Sequence, residues 1–594
     1  MVTTAEPTSA SDCTLESAID AANTAAPSGN CVPNGPGPGY RIEFALPSLP
    51  ATITPVGGLP TEPKLRIAAD VEVVGPGASQ LTISGGSVSR VFEIQSGIVS
   101  LSGLTVADGQ SKETGAGLLI QNPATVQLTQ VTVSHNEVQP DPTMPKLAEG
   151  AGIMNHGRLT LTESTVSGNT ARTPTLEPGV EANGGGIATA RNVATEFLPD
   201  TLTLDRSTVS GNLAVAEGSG TTDTRGGGIF VYETSTLTVR GSTISGNEAK
   251  VNGAVAGDDA SGGGIFIWPS TPQATIESST IAANSAVTSG ANLFAAGPTA
   301  LRSTIVAGPV GSSSCAGGAV ASSGYNLDEG TSCNFNVGGD QSGVDPRLGP
   351  LAGNGGPTQT MALLNGSPAI DRGSAAVGET SDQRGLRRPV DIPSVPNVAD
   401  GADVGAFEVQ VPHVDITSGP RDGETIADAQ PTFEFAAADA SGFACTIDGA
   451  ATPCSSPFKT SPLANGGHTF TVAAIGESGY AGDAASRSFT VEVKTETKPP
   501  VAVKPLKAPQ TKLGSLASKT TKRRLTIRFS ASEAGSTFQC KLDQRKWQSC
   551  RSPYKTPKLA LGKHVFKVKA KGKTGLVDSS PATKKFRVVA PSWR

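Results

Sequence analysis

The chain of 594 residues carries a formal net charge of −5 and contains 71 Gly and 43 Pro, whereas aromatic residues make up only 4%. This length predicts several domains, and this composition favours many short strands joined by tight turns. No run of eighteen apolar residues occurs, so the sequence lacks the stretch that a membrane-spanning helix requires.

The best helix candidate lies near the N-terminus, at residues 12–23. Asp12 is expected to cap this helix, and Leu15, Ile19 and Ala22 would share one apolar face. A short amphipathic helix at the start of a solenoid would cover its open end. The stretch before it, MVTTAEPTSASDC, has neither a basic start nor an apolar core, so we expect no signal peptide in it.

A block with a GGGI-like start and an SGN-like end recurs along the chain. The copies are Gly115–Val138, Gly150–Ala171, Gly184–Ala214, Gly226–Ala249 and Gly262–Ala286. Each contains three short strand-like segments, as around Ile153, Leu159 and Val166, with apolar and polar residues alternating in the second. A unit this small cannot bury a core alone and must stack on its neighbours. The pattern predicts a right-handed parallel β-helix.

The blocks end in asparagines, at Asn136, Asn169, Asn212, Asn247 and Asn284. Because the residue recurs in every block and tolerates left-handed backbone, we interpret it as a stacked structural ladder and not as a ligand site. Glycine triplets such as Gly184–Gly186 could form a phosphate-binding loop or a sharp corner. We interpret them as corners, because a phosphate-binding loop would be followed by a helix and a Lys-Ser/Thr pair, and neither follows here. The insertions at Arg172–Asn183, Leu213–Arg225 and 191–200 are expected to form loops on one side.

The outward strand positions bear on whether the solenoid is an enzyme. They hold Thr129, Thr162, Asp205, Arg240 and Glu277. Polysaccharide cleavage requires paired carboxylates, or a basic residue beside calcium-binding acids. This row lacks two adjacent carboxylates because Arg240 separates the acids, so ion-paired surface decoration explains it better. We therefore assign no catalytic residue, no cofactor-binding residue and no metal ligand.

Three polar stretches follow the last block, at Asn354–Gly373, Asp382–Pro389 and Asp400–Glu408. Their charged residues include Asp371, Asp382, Arg384, Arg388 and Asp403. No histidine or nucleophile accompanies this group. We expect these side chains to pair with one another and with turn amides, and to close the far end of the β-helix.

Two related modules complete the chain, one beginning at Phe443 and the other at Phe538. Both alternate in a strand-like way, with hairpin turns such as Asp448-Gly449, and both contain two closely spaced cysteines. This pattern predicts two modules of short strands joined by hairpin turns. The proline-containing segment 494–510 between them is expected to be a semi-rigid, extended linker.

The eight cysteines form four local pairs: Cys13 with Cys31, Cys315 with Cys333, Cys445 with Cys454, and Cys540 with Cys550. Their even number and short separations favour disulfides and an oxidising, extracellular or cell-surface location. The cysteines show no CxxC spacing, and no cluster of histidines lies near them, so the sequence does not predict a zinc site.

Charge is divided unevenly along the sequence. From Thr495 to Arg594 there are 24 Lys/Arg and four acids, a formal charge of +20, whereas the preceding part carries −25. Such a tail either binds an anionic polymer or folds back on its acidic neighbour. The candidate binding segments are Lys519–Arg524 and Lys563–Lys573. Within them the candidate binding residues are Lys522, Arg523, Arg524, Lys567, Lys569, Lys571 and Lys573. The last four alternate, so we expect them to line one strand face.

Several segments resemble known bacterial families. CTLESAIDAAN resembles the CSLREA motif at the start of many β-helix surface proteins, matching it at Cys13, Leu15, Ala18, Ile19, Ala22 and Asn23. The GGGI…SGN blocks are similar to the repeats of polymorphic outer membrane proteins, and residues 354–408 resemble a choice-of-anchor region. The two last modules resemble bacterial Ig-like or fibronectin-like domains. The resemblance implies a pectin-lyase-like solenoid on a surface protein.

We therefore expect an all-β protein. Its predicted parts are an N-terminal cap (1–63), a parallel β-helix (64–308), a C-terminal cap (309–410), an Ig-like domain (411–493), a linker (494–510) and a basic Ig-like domain (511–590). The predicted function is that of a monomeric, non-enzymatic, adhesin-like rod, secreted or at the cell surface. It would bind glycan or envelope polymer through the solenoid loops and the Ig-like modules, use no cofactor and recognise no specific nucleic acid. The alternative is a polysaccharide lyase or glycoside hydrolase.

Overall fold

The computed structural model describes residues 1–6, 11–35, 39–55, 65–141, 147–173, 179–190, 199–217, 222–253, 258–269, 273–318, 320–494 and 505–591. The chain divides into two compact units, Met1–Val493 and Lys494–Arg594. Among the described residues, no helix is long and apolar enough to cross a membrane.

Three long parallel sheets, named A, B and C, dominate the first unit. Each coil of the chain contributes one strand to each sheet, in register with its neighbours. In sheet A, for example, Leu161 pairs with Leu128 of the preceding coil and with Leu204 of the following coil. The predicted parallel β-helix with three strands per coil is confirmed.

The strands stack in chain order within each sheet. Sheet A contains Tyr40–Glu43, Val71–Val74, Ile98–Ser102, Thr125–Thr129, Arg158–Thr162, Thr201–Asp205, Thr236–Arg240, Ala274–Glu277, Thr299–Arg302 and Val320–Ser322. Sheet B contains Leu65–Ile67, Phe92–Ile94, Leu118–Ile120, Ile153–Asn155, Ile187–Thr189, Ile229–Val231, Ile265–Ile267, Leu293–Ala295 and Cys315–Ala316. Sheet C contains Ala51–Ile53, Leu81–Ser84, Thr105–Ala107, Thr132–Ser134, Thr165–Ser167, Thr208–Ser210, Thr243–Ser245, Thr280–Ala282, Ile305–Ala307, Leu327–Asp328 and Gln341–Ser342.

The apolar core follows from the alternation within each strand. In sheet A, Leu159 and Leu161 point inward and are buried, whereas Thr160 and Thr162 point outward. Stacked coils align such residues into columns, which form one continuous core cluster along the helix. Each buried Leu, Ile or Val stabilises the fold by about 1.5–3 kcal/mol, so the repeat supplies most of the driving force for folding.

The asparagines form the predicted ladder. The Asn247 side-chain oxygen accepts hydrogen bonds from the backbone N of Asn212 (3.1 Å) and from its Nδ2 (2.9 Å). Asn247 Nδ2 in turn donates to the carbonyl O of Val209 and to Oδ1 of Asn284. The pattern joins Asn136, Asn169, Asn212, Asn247 and Asn284, and Asn284 continues it to Asn292. The ladder satisfies buried backbone groups that the bend leaves unpaired.

A second polar ladder runs along another corner and was not predicted. The backbone N of Ser164, Ser207 and Ser242 each donates to Oγ of the corresponding serine one coil further on, the last being Ser279. These serines stand in the EST, RST, GST and SST sequences before the sheet C strands, where a serine is an ordinary turn residue.

The glycine triplets form close-packed corners, as the sequence predicted. Gly184 has a φ of +62°, a left-handed conformation that favours glycine. A Cβ on Gly186 would lie 2.7 Å from the carbonyl O of Gly228 and 2.9 Å from Nδ2 of Asn212. Only glycine therefore lets the corner approach both the next coil and the asparagine ladder.

The N-terminal helix spans Leu15–Thr24, and its cap is Thr14 and not the predicted Asp12. Thr14 Oγ1 accepts from the backbone N of Ser17 at 3.2 Å. The helix begins later because Cys13 is held in an extended pairing with Thr3. Its apolar face enters the solenoid core as expected.

The end of this helix also covers a strand edge. Asn23 Nδ2 donates to the carbonyl O of Arg66 (2.7 Å), and Asn23 Oδ1 accepts from the backbone N of Ala68 (2.9 Å). One amide thus replaces the hydrogen bonds that a further strand would make, which protects the first strand of sheet B.

The sheets extend beyond the predicted boundaries of 64 and 308, from Tyr40 to Ser342. The outer coils lack the glycine and asparagine motif, and only their strand pairing shows that they belong to the β-helix.

The predicted insertion loops contain strands that stack beside the main sheets. Sheet D contains Gln110–Ser111, Glu137–Val138, Thr170–Thr173, Leu213–Glu217, Glu248–Asn252 and Ser285–Ala286; sheet E contains Leu147–Glu149, Glu181–Asn183, Asp223–Arg225 and Asp259–Ser261. Most of the predicted loop 191–200 lies outside the described residues.

The segment after the last coil, named the strap (residues 345–411), lies against the outward face of sheet C. It contains a hairpin of Leu348–Ala352 and Thr360–Leu363. Gln383 bonds both Thr208 and Thr243, whereas the backbone N of Ala406 donates to Oγ1 of Thr280. The strap therefore covers several successive coils from the side, which corrects the expectation that these residues close the far end.

Two β-sandwiches follow, one in each unit. The first has sheets of Asp415–Ser418, Thr432–Ala436, Phe458–Lys459 and of Glu424–Ile426, Ala485–Val491, Gly466–Ile475, Gly442–Ile447, Ala450–Thr452. The second has sheets of Thr511–Leu513, Phe529–Ala531, of Thr526–Ile527, Tyr554–Lys555, and of Lys519–Thr520, Ala582–Val588, Gly562–Lys571, Thr537–Leu542, Gln548–Cys550. Each buries its own aromatic core.

All four cysteine pairs predicted from the sequence form disulfides. The Cα atoms of Cys13–Cys31 and Cys315–Cys333 are each 4.9 Å apart, and those of Cys445–Cys454 and Cys540–Cys550 are 6.1 and 5.7 Å apart. These bridges are typical of an extracellular protein.

Candidate functional site

The most unusual surface of the molecule is one face of the five-stranded sheet in the second sandwich. In strand Gly562–Lys571 the side chains of Phe566 and Val568 enter the core, so Lys567 and Lys569 point outward. Neighbouring strands add cations at the same level. We call this surface the cationic face, formed by Lys519, Lys541, Lys563, Lys567, Lys569, Lys571, Lys585 and Arg587.

Several of these cations are direct cross-strand neighbours. Lys541 lies opposite Lys567, and Arg587 is paired with Lys563 on one side and Lys519 on the other. Opposite residues in an antiparallel sheet have Cβ atoms about 4.5–5.5 Å apart, and like charges at that distance destabilise the sheet. The face therefore carries a like-charge repulsion that a bound anion would relieve.

No carboxylate neutralises this face within the described part of the second unit. The three acids described there contact other groups: Asp543 pairs with His564, Asp578 accepts from the backbone N of Thr511, and Glu533 accepts from the backbone N of Lys573. The remaining outward positions on the face are uncharged, such as Gln539 and Thr583. The described part of the second unit therefore leaves the charge of this face without compensation.

One aromatic side chain borders the face. The Lys569 ammonium lies 4.7 Å from the ring centroid of Trp547, in a cation–π contact. Trp547 follows the exposed cations Arg545 and Lys546 in the turn between two strands. The contact orients one cation of the face and extends the positive surface beyond the sheet.

The structure brings together three of the seven cations assigned from sequence. Lys567, Lys569 and Lys571 share the face, but the strand ends at Lys571, so Lys573 falls in the following turn. Lys522, Arg523 and Arg524 lie in an exposed loop, where Arg523 Nε donates to the carbonyl O of Leu559. Lys519 and Lys563 begin the two stretches that the sequence suggested as binding segments, whereas sequence reasoning missed Lys541, Lys585 and Arg587. The alternation in TKKFRV was a local signal for the last two.

The first sandwich shows that the fold does not require these charges. Its strands pair in the same way, with Thr446 opposite Thr471 where the second sandwich has Lys541 opposite Lys567. The uncharged counterparts of the cations at 541, 563, 567, 569, 571, 585 and 587 are Thr446, Gly467, Thr471, Ala473, Ile475, Ser488 and Thr490. The cationic face is thus a specific feature of the second sandwich.

The charged row on sheet A is in register, as the sequence predicted, and Arg302 extends it. Arg240 pairs with Glu277 at 3.4 Å, and Arg206 pairs with Asp205 at 3.2 Å. The row forms the floor of a cleft of ≈ 480 Å³, one wall of which is strap residues 376–381. Burial raises the pKa of the Asp205 carboxyl. Each acid in the row has an arginine partner, which agrees with ion-paired decoration.

The charged cluster of the strap is a buried structural network, as expected. Arg388 is 2% exposed and donates to the carbonyl O atoms of Gly405 and Asp403. Asp382 accepts from Arg384 Nε and from the backbone N of Leu386 and Glu408. Asp371 accepts from the backbone N of Ile392. These contacts hold the strap turns in place.

Glu408 is a further member of this network, which sequence reasoning did not single out. It is fully buried, lies 3.5 Å from Arg388, and accepts from the backbone N of Val390 and Asp403. Burial raises the pKa of Glu408 to about 7, and burial with the neighbouring Glu408 carboxyl raises that of Asp403 as well. The network is inaccessible to a substrate.

The comparison with known families agrees with this architecture. Residues 75–281 match the model of a family described as a right handed beta helix region. The match and the parallel sheets show a right-handed parallel β-helix, followed by two β-sandwiches. No curated protein has a significantly similar sequence.

Solved structures match only in part. They include the fibronectin(III)-like modules of Clostridium thermocellum CbhA, at 19% identity over 30% of this chain and 94% of that chain, with a TM-score of 0.13. They also include Bacteroides ovatus SGBP-B in complex with mixed-linkage heptasaccharide, at 14% identity over 30% of this chain and 48% of that chain, with a TM-score of 0.12. This chain thus spans about half the length of the second structure, and the TM-scores are too low to relate overall folds.

Proposed function

We propose that the protein is a non-enzymatic, extracellular or cell-surface rod that binds an anionic polymer through the cationic face. The observation that carries this proposal is the group of eight outward cations that no described carboxylate neutralises. The four disulfides support the extracellular location. The β-helix would serve as the rigid part of the rod.

The layout of the face favours a polymer over a small anion. Outward residues along one strand, such as Lys567 and Lys569, are about 6.8 Å apart, and adjacent strands are about 4.8 Å apart. The cations therefore form a grid that many repeating carboxylates, phosphates or sulfates can contact at once. Each exposed contact is weak alone, and the sum of many gives affinity.

The rival function, cleavage of a polysaccharide by the β-helix, receives less support. The outward row of sheet A alternates acid and arginine, and Arg240 holds Glu277 in an ion pair. The other polar cluster, around Arg388, is buried under the strap. The acids of the first arrangement are held by arginines and those of the second are buried, so neither presents a free carboxylate pair of the kind glycoside hydrolysis uses. Turnover of polygalacturonate by the full chain would favour the rival.

The first sandwich supplies the design of the test. The variant Lys541→Thr/Lys567→Thr/Lys569→Ala gives the second sandwich the residues that its neutral counterpart carries at these positions. A matched control, Lys512→Thr/Lys555→Thr/Lys573→Thr, removes the same charge from other parts of the unit. We expect the full-length face variant to lose retention on immobilised polygalacturonate, heparin or lipoteichoic acid, whereas the control keeps most of it. Equal losses would show that net charge alone governs binding.

A further inference from the structure

A second candidate site lies entirely within the first unit, in a cleft between the strap and the first sandwich. Its volume is ≈ 1070 Å³, enough for an extended ligand. The strap contributes residues 353–355 and 362–365, Arg384 and Phe407, and the sandwich contributes the turns at 438–441 and 476–478. The cationic face belongs to the other unit, so this cleft is a separate site.

Close packing fixes the two walls of the cleft. Tyr480 of the sandwich accepts a hydrogen bond from the backbone N of Gly366 (2.8 Å), and its ring packs into the apolar cluster of the strap. A Cβ on Gly482 would lie 2.5 Å from the carbonyl O of Pro412, so the backbones touch there. The cleft is therefore formed before any ligand binds, which lowers the entropic cost of binding.

The floor of the cleft combines apolar side chains with one arginine whose charge is neutralised. The Arg384 guanidinium stacks 3.7 Å from the ring centroid of Phe407, and Asp382 neutralises it through a 2.8 Å hydrogen bond. Leu364 and Leu386 beside them are 50% and 41% exposed. Apolar side chains that remain exposed inside a concave site are typical of ligand contacts.

Polar side chains surround this floor. Asp439 and Glu477 are exposed carboxylates on the sandwich side, and Asn365 lies on the strap side. Ser478 Oγ is buried and has no hydrogen-bond partner among the described residues. A buried hydroxyl without a partner costs roughly 1–3 kcal/mol, and a ligand hydroxyl placed beside it would relieve that cost.

We propose that this cleft binds a neutral oligosaccharide. A pyranose ring has apolar faces that fit the Phe407 and Leu386 floor, and its peripheral hydroxyls can bond the carboxylate, amide and serine groups of the rim. A polyanion is disfavoured because Asp439 and Glu477 would repel it while Arg384 is already neutralised. The site thus differs in ligand charge from the cationic face.

Isothermal titration of the full-length chain with neutral hexasaccharides of glucose, mannose and xylose tests the proposal. We expect one of them to bind with an affinity that barely changes with salt. Ser478→Ala should weaken it roughly 2- to 10-fold, the effect of one hydrogen bond, without loss of stability because the hydroxyl is unpaired in the free protein. Leu386→Asp should abolish it, whereas Val287→Asp, at an exposed apolar position on the solenoid, should not.

Other results would overturn the neutral-oligosaccharide site. These are no binding of any hexasaccharide, unchanged affinity in Leu386→Asp, or binding of an unstructured neutral peptide in place of the sugars. The face variant Lys541→Thr/Lys567→Thr/Lys569→Ala should leave hexasaccharide binding intact. If no hexasaccharide binds, the proposal that the cationic face binds a polyanion is unaffected. If no polyanion binds, the proposal for the cleft is likewise unaffected.

Discussion

Lys541 and Lys567 lie directly opposite each other on adjacent antiparallel strands, while their counterparts in the first sandwich are Thr446 and Thr471. The same backbone framework thus carries a repulsive pair in one domain and a neutral pair in the other. A ligand anion placed between two such cations would relieve the repulsion, so ligand binding and domain stability should be linked.

The repulsion should be measurable without ligand. Lys567→Thr is expected to stabilise the second sandwich by roughly 0.2–1 kcal/mol, because it removes a like-charge cross-strand pair. The gain should shrink at high salt, which screens exposed charges. Hydrogen exchange of the amides in Gly562–Lys571 measures it, with Lys573→Thr as the control. A loss of protection in Lys567→Thr at low salt would contradict the repulsion.

The asparagine ladder should be a major source of β-helix stability. Asn247→Ala removes a buried amide, so the backbone N of Asn212 loses its acceptor and the carbonyl O of Val209 loses one of its donors. We expect a loss of roughly 2–4 kcal/mol in the free energy of unfolding, measured with urea. Asn252→Ala, which removes only one partly exposed hydrogen bond to Glu217, should cost under about 1 kcal/mol. Similar losses in both variants would argue against the ladder.

A histidine clamp in the second sandwich predicts a pH dependence. His564 Nδ1 lies 2.7 Å from Asp543 Oδ2 and Nε2 lies 3.0 Å from the carbonyl O of Ala560, so both nitrogens donate only in the imidazolium. The Asp543 hydrogen bond raises the pKa of His564 above its usual 6.5.

Because the folded pKa is raised, the clamp stabilises fully below pH 6.5 and its contribution is lost as pH rises through the folded pKa. Thermal unfolding of the second unit across this range should show the loss, and His564→Gln should remove it. A second-unit stability that rises with pH above 6.5 would contradict the clamp.

The strap predicts a pH effect in the first unit. Burial raises the pKa of Glu408 from 4.5 to about 7, so between these values the folded chain binds more protons than the unfolded chain. Stability should therefore fall as pH rises from about 4.5 to about 7. Urea unfolding at both ends of this window measures the change, and Glu408→Gln should reduce it, with the rest coming from buried carboxyls such as Glu149, whose pKa burial also raises. If the free energy of unfolding depended on pH in Glu408→Gln as it does in the wild type, another group would bind the proton.

Local sequence patterns predicted the parts of the fold that repeat. The alternation around Leu159, the recurrent asparagines and the paired cysteines each specify a structure within a few residues or at one fixed period. The sequence did not predict the serine ladder, because serine is common in turns before strands and its presence there does not indicate a ladder. Asn23 also has a role that only the adjoining strand reveals, since it bonds Arg66 and Ala68.

Long-range contacts explain what sequence reasoning missed. The strap meets sheet C through Gln383 and Thr208, which are 175 residues apart, and no local pattern specifies such a pairing. The cationic face likewise depends on Lys541 and Arg587, on strands that flank the lysine-rich one. The alternation predicted that Lys567, Lys569, Lys571 and Lys573 share one strand face, but the strand ends at Lys571. The lysine pattern alone could not show this end, because the partner strands determine where a strand stops.

The salt dependence of polymer binding tests the central claim most directly. For single-stranded polymers, each neutralised charge contributes about −0.7 to the slope of log affinity against log salt concentration. Removal of Lys541, Lys567 and Lys569 in the full-length chain should therefore flatten the slope for polygalacturonate by about 2. The control Lys512→Thr/Lys555→Thr/Lys573→Thr should retain the original slope. A slope that is equal in the two variants, or wild-type binding that is insensitive to salt, would contradict the assignment of the cationic face as the polymer-binding site.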